Sequence, residues 1–358
     1  MGKRTSVTIE HVAQAAGVSR QTVSRVINRG PNVKPAMRER VESAVEELGY
    51  VPNLSARRMG GGKSFLILAI NDRQRTLENW QAGRGNDWVD QMLYGGMTEC
   101  EKHGFHLVFE LIDADPQLAP RQLSRVLSSL RPDGVVLTPP HSDNLQLLEL
   151  LADRQIPCAR IGKDDGSSQV DIFMDEAGAA GEATRHLLAH GHRQIAFVAG
   201  APEYGNSRKR IEGFRAALAD AGLPENAGLV ANGDFRFDTA AGEIARLLDG
   251  SAPPSAIIAD NDEMAFAALH LADQRSICVP GQLSVISFED TPGVRFSVPP
   301  LTAIRQPTAE MIGKACERLI AIANGAAGAL WTGESPGSDR FEMPYRLINR
   351  ATTGPRAA

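Results

Sequence analysis

The side chains with the most legible chemistry lie in VSRQTVSRVIN, residues 18–28. Wound as a helix, this stretch puts Val23, Val26 and Ile27 on one face and Arg20, Gln21, Ser24, Arg25 and Asn28 on the other. Arg, Gln and Asn offer the paired donors and acceptors that match base edges, and Arg and Ser reach phosphate oxygens. The outer face carries no carboxylate. The chemistry is that of polyanion recognition, with base reading within reach. The same pattern also fits a small helical bundle with a solvated basic face, and these residues alone leave both readings open.

A second set follows a series of short apolar runs: Asn71-Asp72, Thr138, Gly200, Asp234-Phe235, Asn261-Asp262 and Glu289-Asp290. Polar groups beyond the carboxyl ends of parallel strands face the crevice where open α/β sheets bind ligands. Taken singly, Asn261 and Asp262 are equally explained as helix caps, and Glu289-Asp290 as a strand-end turn. Catalytic and metal patterns are not found. His190 and His192 flank Gly191 as a helix C-terminus does, and there is no zinc spacing, phosphate-binding loop or nucleophile elbow. No enzyme, metal or cofactor is expected. Cys100, Cys158, Cys278 and Cys316 lie far apart and read as buried thiols of a reducing compartment. With no signal-peptide core and no membrane-length apolar run, a cytoplasmic setting is expected.

The elements that position these groups divide the chain in two. Residues 1–63 carry 11 Lys/Arg against 5 Asp/Glu, whereas the remainder carries 27 against 38. A small basic head on a large acidic body points to a polyanion-binding module joined to something else. In the head, Ile9, Val12, Ala13 and Ala16 make an amphipathic helix after Thr8, and Gly17 allows a sharp turn. Ser19 caps the second helix, with Val18 able to pack on Val23. A third runs from Pro35 to Leu48 and stops at Gly49. From Ser64 onward apolar strands alternate with helices: 64–70, 106–112, 133–139, 156–162, an irregular stretch, then 194–200, 228–234, 255–260 and 283–290. Such alternation predicts parallel sheets flanked by helices, and about eight strands fit two subdomains better than one.

The run from Thr8 to Met59 resembles the lactose/galactose-repressor family of bacterial transcription regulators. VTIEHVAQAAGVSRQTVSRVIN, the Val33–Tyr50 pattern ending in LGY, and VPN-x-x-A-R carry the resemblance. It implies an all-α helix-turn-helix headpiece over 1–51 that binds a pseudo-palindromic DNA operator as a homodimer. The DNA-contacting set is then Thr8, Ser19, Arg20, Gln21, Thr22, Ser24, Arg25 and Asn28. Arg20, Gln21 and Arg25 match base-reading positions, and an Arg at position 20 suits a guanine edge. Residues 52–62 become a hinge helix that forms when two copies pair on DNA. Asn53 caps it, Ala56 lets the twin helices approach, Arg57 and Arg58 reach phosphates, and Met59 stands where the family places a leucine wedge. Gly60, Gly61 and Gly62 form a flexible joint. Lys34 departs from the usual Ser or Thr cap.

The resemblance continues through HLLAHGHRQIAFVAG, SRKRIEGFRAALADAGL, SAIIADNDEMAFAAL, LSVISFED and VPPLTAIRQP. It implies a type I periplasmic-binding-protein-like body of two α/β subdomains, 63–174 plus 306–337 and 175–305 plus 338–352, around an effector cleft. The effector positions fall on Asp72, Thr138, Arg210, Phe235, Asn261 and Glu289. Glu289 replaces the usual Asp, and residues 71–91, with Trp80 and Trp88, do not match the usual segment. Those two tryptophans suit either stacking on a sugar or packing at a subunit interface. The implied function is a transcriptional regulator, a repressor, controlled by a small molecule, a sugar before a purine. A sugar-transport binding protein and a purine-dependent co-repressor system are the alternatives. With no heptad tail at the C-terminus, a dimer is the default.

Overall fold

The computed structural model describes residues 7–27, 33–50, 63–224, 228–325 and 339–356. In the head, α1 (Ile9–Ala16), α2 (Arg20–Ile27) and α3 (Pro35–Leu48) close around Val12, Ala16, Val23, Val26, Val41, Ala44 and Tyr50. Gly17 ends α1 in the left-handed conformation, φ 62°, and the Val18 amide bonds back to the Ala13 carbonyl. The Arg40 guanidinium of α3 bonds the Ala16 carbonyl and so ties the third helix to the α1–α2 turn. Lys34 precedes α3 without a side-chain cap, and Pro35 starts the helix.

The body holds two sheets of six strands each among the described residues. The first contains β1 (Leu66–Asp72), β2 (His106–Ile112), β3 (Gly134–Leu137), β4 (Cys158–Ile161), β5 (Val170–Phe173) and β11 (Asp339–Glu342), ordered β11-β5-β4-β3-β1-β2, all parallel. Its helices are α4 (Arg73–Gln81), α5 (Asp87–Lys102), α6 (Ala119–Leu130), α7 (Leu145–Asp153) and α12 (Thr308–Ala323). The second contains β6 (Ile195–Ala199), β7 (Gly228–Asn232), β8 (Ala256–Ala259), β9 (Ser284–Glu289), β10 (Thr302–Arg305) and β12 (Arg346–Ile348), ordered β12-β10-β9-β8-β6-β7. Only β12 runs antiparallel, against β10. Its helices are α8 (Glu176–Ala189), α9 (Gly205–Asp220), α10 (Phe237–Leu248) and α11 (Asp262–Gln274). Strands such as Leu66–Asp72 and Ala256–Ala259 are buried along their whole length, which is why they read as unbroken apolar runs.

Two expectations are corrected. The irregular stretch after residue 162 contains β5, and β10, β11 and β12 were not foreseen, so the count rises from about eight to twelve. These strands have only three or four residues each, below the length at which an alternating or continuous pattern stands out. The 338–352 segment also does not belong wholly to the second subdomain. β11 extends the first sheet beside β5, and the chain crosses over only between Met343 and Tyr345. With the passages from β5 to α8 and from β10 to α12, the backbone crosses between the lobes three times among the described residues.

Helix packing is close where glycine permits it. A Cβ on Gly95 of α5 would stand 2.0 Å from the Ala309 carbonyl oxygen of α12. One on Gly213 of α9 would stand 2.0 Å from the Ala177 carbonyl oxygen of α8. These contacts clamp the helices that carry the cleft residues.

Candidate functional sites: a polar head helix and an interlobe cleft

On α2, Ser19, Arg20, Gln21 and Arg25 are exposed, and Thr22 and Ser24 are half-buried. The Ser19 hydroxyl accepts from the Thr22 amide at 3.2 Å and lies 3.0 Å from the Thr22 hydroxyl, so it caps the helix and orders its first turn. Arg20 Nε pairs with Glu10 on α1 at 3.1 Å, both side chains being solvent-accessible. An exposed pair of this kind is worth little and exchanges readily for a phosphate or a base edge. Thr8 sits at the N-terminus of α1, where its amide donates to His11 Nδ1. Asn28 and the whole hinge set, Asn53, Ala56, Arg57, Arg58 and Met59, lie outside the described residues.

In both sheets the strand order reverses beside the first strand, β1 in one lobe and β6 in the other. Such switch points leave a crevice at the carboxyl ends of the strands. The two crevices face each other and enclose a cavity of about 550 Å³. Asn71 and Asp72 at the end of β1 and Pro139 after β3 form one wall. Tyr204, Asn206, Arg210, Phe235, Asn261 and Glu289 are on the other.

Arg210 lies on α9 and is 1% exposed. Its Nε donates to Glu176 Oε2 at 2.6 Å, and its Nη1 to Asp260 Oδ1 at 2.6 Å and to the Asp260 carbonyl at 3.0 Å. The guanidinium stacks 4.3 Å from the centre of the Phe288 ring. Burial alone would lower its pKa, but the charges of Glu176 and Asp260 outweigh that and hold the group cationic. Nη2 is buried without a hydrogen-bond partner, and so is Asn206 Oδ1. Both residues line the cavity. A buried donor and a buried acceptor left open on one cavity wall define the polarity that an occupant must supply.

Left-handed backbone recurs at this wall: Asp234 and Phe235 have φ 54° and 55°, and Glu289 and Asp290 have φ 103° and 64°. Non-glycine residues are costly there, and neighbours hold them in place. The Phe235 ring occupies the space above Gly200, where a Cβ would lie 1.9 Å from it. Asp290 is fixed by Arg305 and Arg350. Burial pushes the Asp262 carboxyl up to about 6, against hydrogen bonds from the Ser287 hydroxyl and the Thr291 amide. Burial, and then the Asp262 charge, hold Glu289 well above the usual carboxylate range.

The lobes are bridged across the cavity. Arg75 of α4 donates to the Asp234 carbonyl and carboxylate, both at 2.8 Å, and lies 5.4 Å from the Tyr204 and Phe235 ring centres. The Tyr204 hydroxyl donates to Asp72 at 2.9 Å, and Arg236 pairs with Glu78. Asp72 also caps α4 through the Arg75 amide.

Residues 8–53 match the model for "Bacterial regulatory proteins, lacI family", and residues 184–353 match that for "Periplasmic binding protein-like domain". The transcriptional regulator DegA of Bacillus subtilis is 32% identical over 351 residues, covering 97% of this chain and 98% of its own length. The chain belongs to the lacI family of bacterial regulatory proteins. CelR of Thermobifida fusca is 33% identical over 89% of this chain and 92% of its own, and the Escherichia coli ribose operon repressor is 31% identical over 87% and 92%. Among solved structures, the CelR–cellobiose complex superposes with a TM-score of 0.70 at 29% identity, covering 97% of this chain and 99% of that one. The Lac repressor dimer bound to operator and the anti-inducer ONPF shares the fold, with a TM-score of 0.78 at 24% identity over 98% and 100%.

This lacI-family member is therefore a DNA-binding transcriptional regulator, and its relatives are regulators, not enzymes. Five of its six expected effector residues, Asp72, Arg210, Phe235, Asn261 and Glu289, line the one cavity. Thr138 does not. Its side chain is wholly buried, with the hydroxyl turned back to the Ile70 carbonyl at 2.7 Å and to Asn71 Oδ1 at 2.8 Å, so it orients Asn71 from behind the wall. Asn261 caps α11 through the Met264 amide and also donates to the Phe235 carbonyl. Its capping role and its place on the wall thus coincide. Of the two tryptophans, Trp88 lines the cavity, whereas Trp80 is half-exposed and stacks edge-on against Phe109. Sequence reading missed Arg75, Tyr204 and Asn206. Each follows a strand end by several residues, beyond the first polar position where the search stopped.

Proposed function

We propose that this regulator is a repressor that binds a pseudo-palindromic operator as a homodimer and is released when a sugar occupies the interlobe cavity. The observation that carries the effector class is the open polarity of one wall, Arg210 Nη2 as donor and Asn206 Oδ1 as acceptor, beside carboxylates and aromatic rings. Saccharides present hydroxyls that both donate and accept, and C–H faces that pack on aromatics. That CelR has been solved with cellobiose supports the same class.

In the head, α2 would enter the major groove with Arg20, Gln21 and Arg25 toward base edges, and Ser19, Thr22, Ser24 and Asn28 toward bases or phosphates. The hinge residues Asn53, Ala56, Arg57 and Met59 would complete the contact in the minor groove. Pairing of two copies is supported by apolar side chains left in solvent on each lobe. Tyr94 and Met97 on α5 are 66% and 57% exposed, and Phe296 and Val298 after β9 are 82% and 92% exposed. Effector binding would bias the relative orientation of the lobes and thereby the spacing of the two heads.

The test is a gel shift of the purified full-length protein on promoter fragments neighbouring its own gene, repeated with a panel of sugars and purines. A retarded band that a sugar releases is the expected outcome. Dimeric protein that retards no fragment at moderate salt would sink the operator reading, and release by a purine alone would overturn the effector class.

A further inference from the structure

The cavity wall is unusual in its charge. Among the described residues, seven carboxyl residues line it against three arginines, with no lysine or histidine. The arginines are not free to act as anion receptors. Arg210 is bracketed by Glu176 and Asp260, two carboxylates for one cation, at 2.6 Å each. Arg75 is held by Asp234, with Glu203 at 3.9 Å, and Arg84 lies 3.7 Å from both Asp238 and Glu263. Meanwhile Asp72, Asp87, Asp262 and Glu289 line the cavity without an ion pair among the described residues. Glu176 does not line the cavity itself. It lies behind Arg210 and is 5% exposed.

We infer that Glu176 and Asp260 more than offset the Arg210 charge and leave it a hydrogen-bond donor with no net positive field, so that the cleft takes an uncharged saccharide and rejects its phosphorylated or acidic counterpart. This rests on the saccharide reading above and specifies it. A hydroxyl or ring oxygen needs only the unpartnered Nη2, reached by a small shift of the side chain, and other hydroxyls donate to the wall carboxyl groups and to Asn206 Oδ1. A phosphate gains no uncompensated cation at Arg210 and meets the Asp72 carboxylate on the facing wall, while Arg84 is already offset by Asp238 and Glu263. Like charges brought together in a partly desolvated site are penalised heavily, by about 100-fold or more in affinity. Glu176 is thus a specificity-determining residue that touches no ligand. It acts by setting the electrostatic character of the one that does.

The experiment is calorimetric titration of the full-length protein with neutral sugars, among them glucose, ribose, cellobiose and maltose, and with glucose 6-phosphate, ribose 5-phosphate and glucuronate. Quenching of Trp88 fluorescence, with Trp88→Phe as the control, reports occupancy of this cavity. At least one neutral sugar is expected to bind, with the charged counterpart weaker by about 100-fold. In Glu176→Gln, which keeps an acceptor for Arg210 Nε, the ratio of the two affinities should narrow by about tenfold, because one of two compensating charges is gone. A merely structural role would weaken both ligands and leave the ratio unchanged. Should Glu176→Gln not fold, Asp260→Asn removes the other charge, and the wild-type ratio stands as a test by itself. A phosphorylated or acidic sugar that binds as tightly as its neutral parent overturns this inference and leaves the saccharide reading intact. Failure of every sugar where guanine or hypoxanthine binds overturns the saccharide reading itself.

Discussion

At the scale of residues, Arg210 shows how a side chain serves structure and recognition at once. Two of its nitrogens are spent on Glu176 and Asp260, and the third is buried without a partner in a residue that lines the cavity. Replacing it with methionine would keep much of its bulk but strand two buried carboxylates. Breaking a buried pair from one side costs about 3–5 kcal/mol. The Arg210→Met variant should therefore lose that much stability in urea unfolding, besides losing effector binding. Asp262 gives a pH prediction. Its folded-state pKa of about 6 exceeds the unfolded value of 3.8, so its contribution is fully present below pH 3.8 and is lost as pH rises through 6. Asp262→Asn should gain on wild type by up to roughly 3 kcal/mol between pH 4 and 7, seen in denaturant midpoints across that range. Arg210, Phe235 and Glu289 could be placed on a cavity wall from the sequence because a family pattern marks them. Sequence reading misplaced Thr138 because strand position says which residues reach the crevice but not which way a hydroxyl turns when a buried carbonyl competes for it.

At the scale of elements, the head helices and long strands were legible because each had at least a turn or a strand's worth of pattern, with Gly17 and Gly49 as stops. Short β5, β10, β11 and β12 were not, since they are defined by their neighbours in the sheet and not by their own periodicity. The same dependence on neighbours governs α8 and α9. Gly213 is there because the Ala177 carbonyl leaves no room for a methyl group. Gly213→Ala should force the helices apart at a cost of roughly 1–3 kcal/mol, a loss measurable as a lower Tm. Since α8 and α9 carry Glu176, Asn206 and Arg210, sugar affinity should fall with it. Equal Tm and affinity would mean that the pair is less rigid than its geometry implies.

At the scale of the whole molecule, the lobes are joined by three backbone crossings and by side-chain bridges over the cleft, Arg75 to Asp234, Arg236 to Glu78 and Tyr204 to Asp72. Bridges of this kind resist separation of the two lobes. An Arg75→Ala/Arg236→Ala double variant should therefore show a larger radius of gyration by small-angle scattering than wild type when effector-free, and should contract when effector is added. An unchanged radius would assign the closed arrangement to the crossings alone. The two-lobed plan was legible in the sequence, whereas these bridges were not, because they join residues about 130 to 160 positions apart that no local pattern links.

The path of the chain's final residues has a further consequence. β11 and β12 each complete a sheet, and Thr352 is wedged between β9 and β10, bonding the Val285 amide and carbonyl and the Thr302 amide. His192 and His190 then hold Gly354 and Arg356. On the ribosome, the head can close its own small core as soon as it emerges, but neither sheet is complete until β11 and β12 have been made. A chain cut before Asp339 would carry a folded head on an unfinished body, with sheet edges exposed to proteases. The making of two short strands thereby decides which copies persist to compete for an operator.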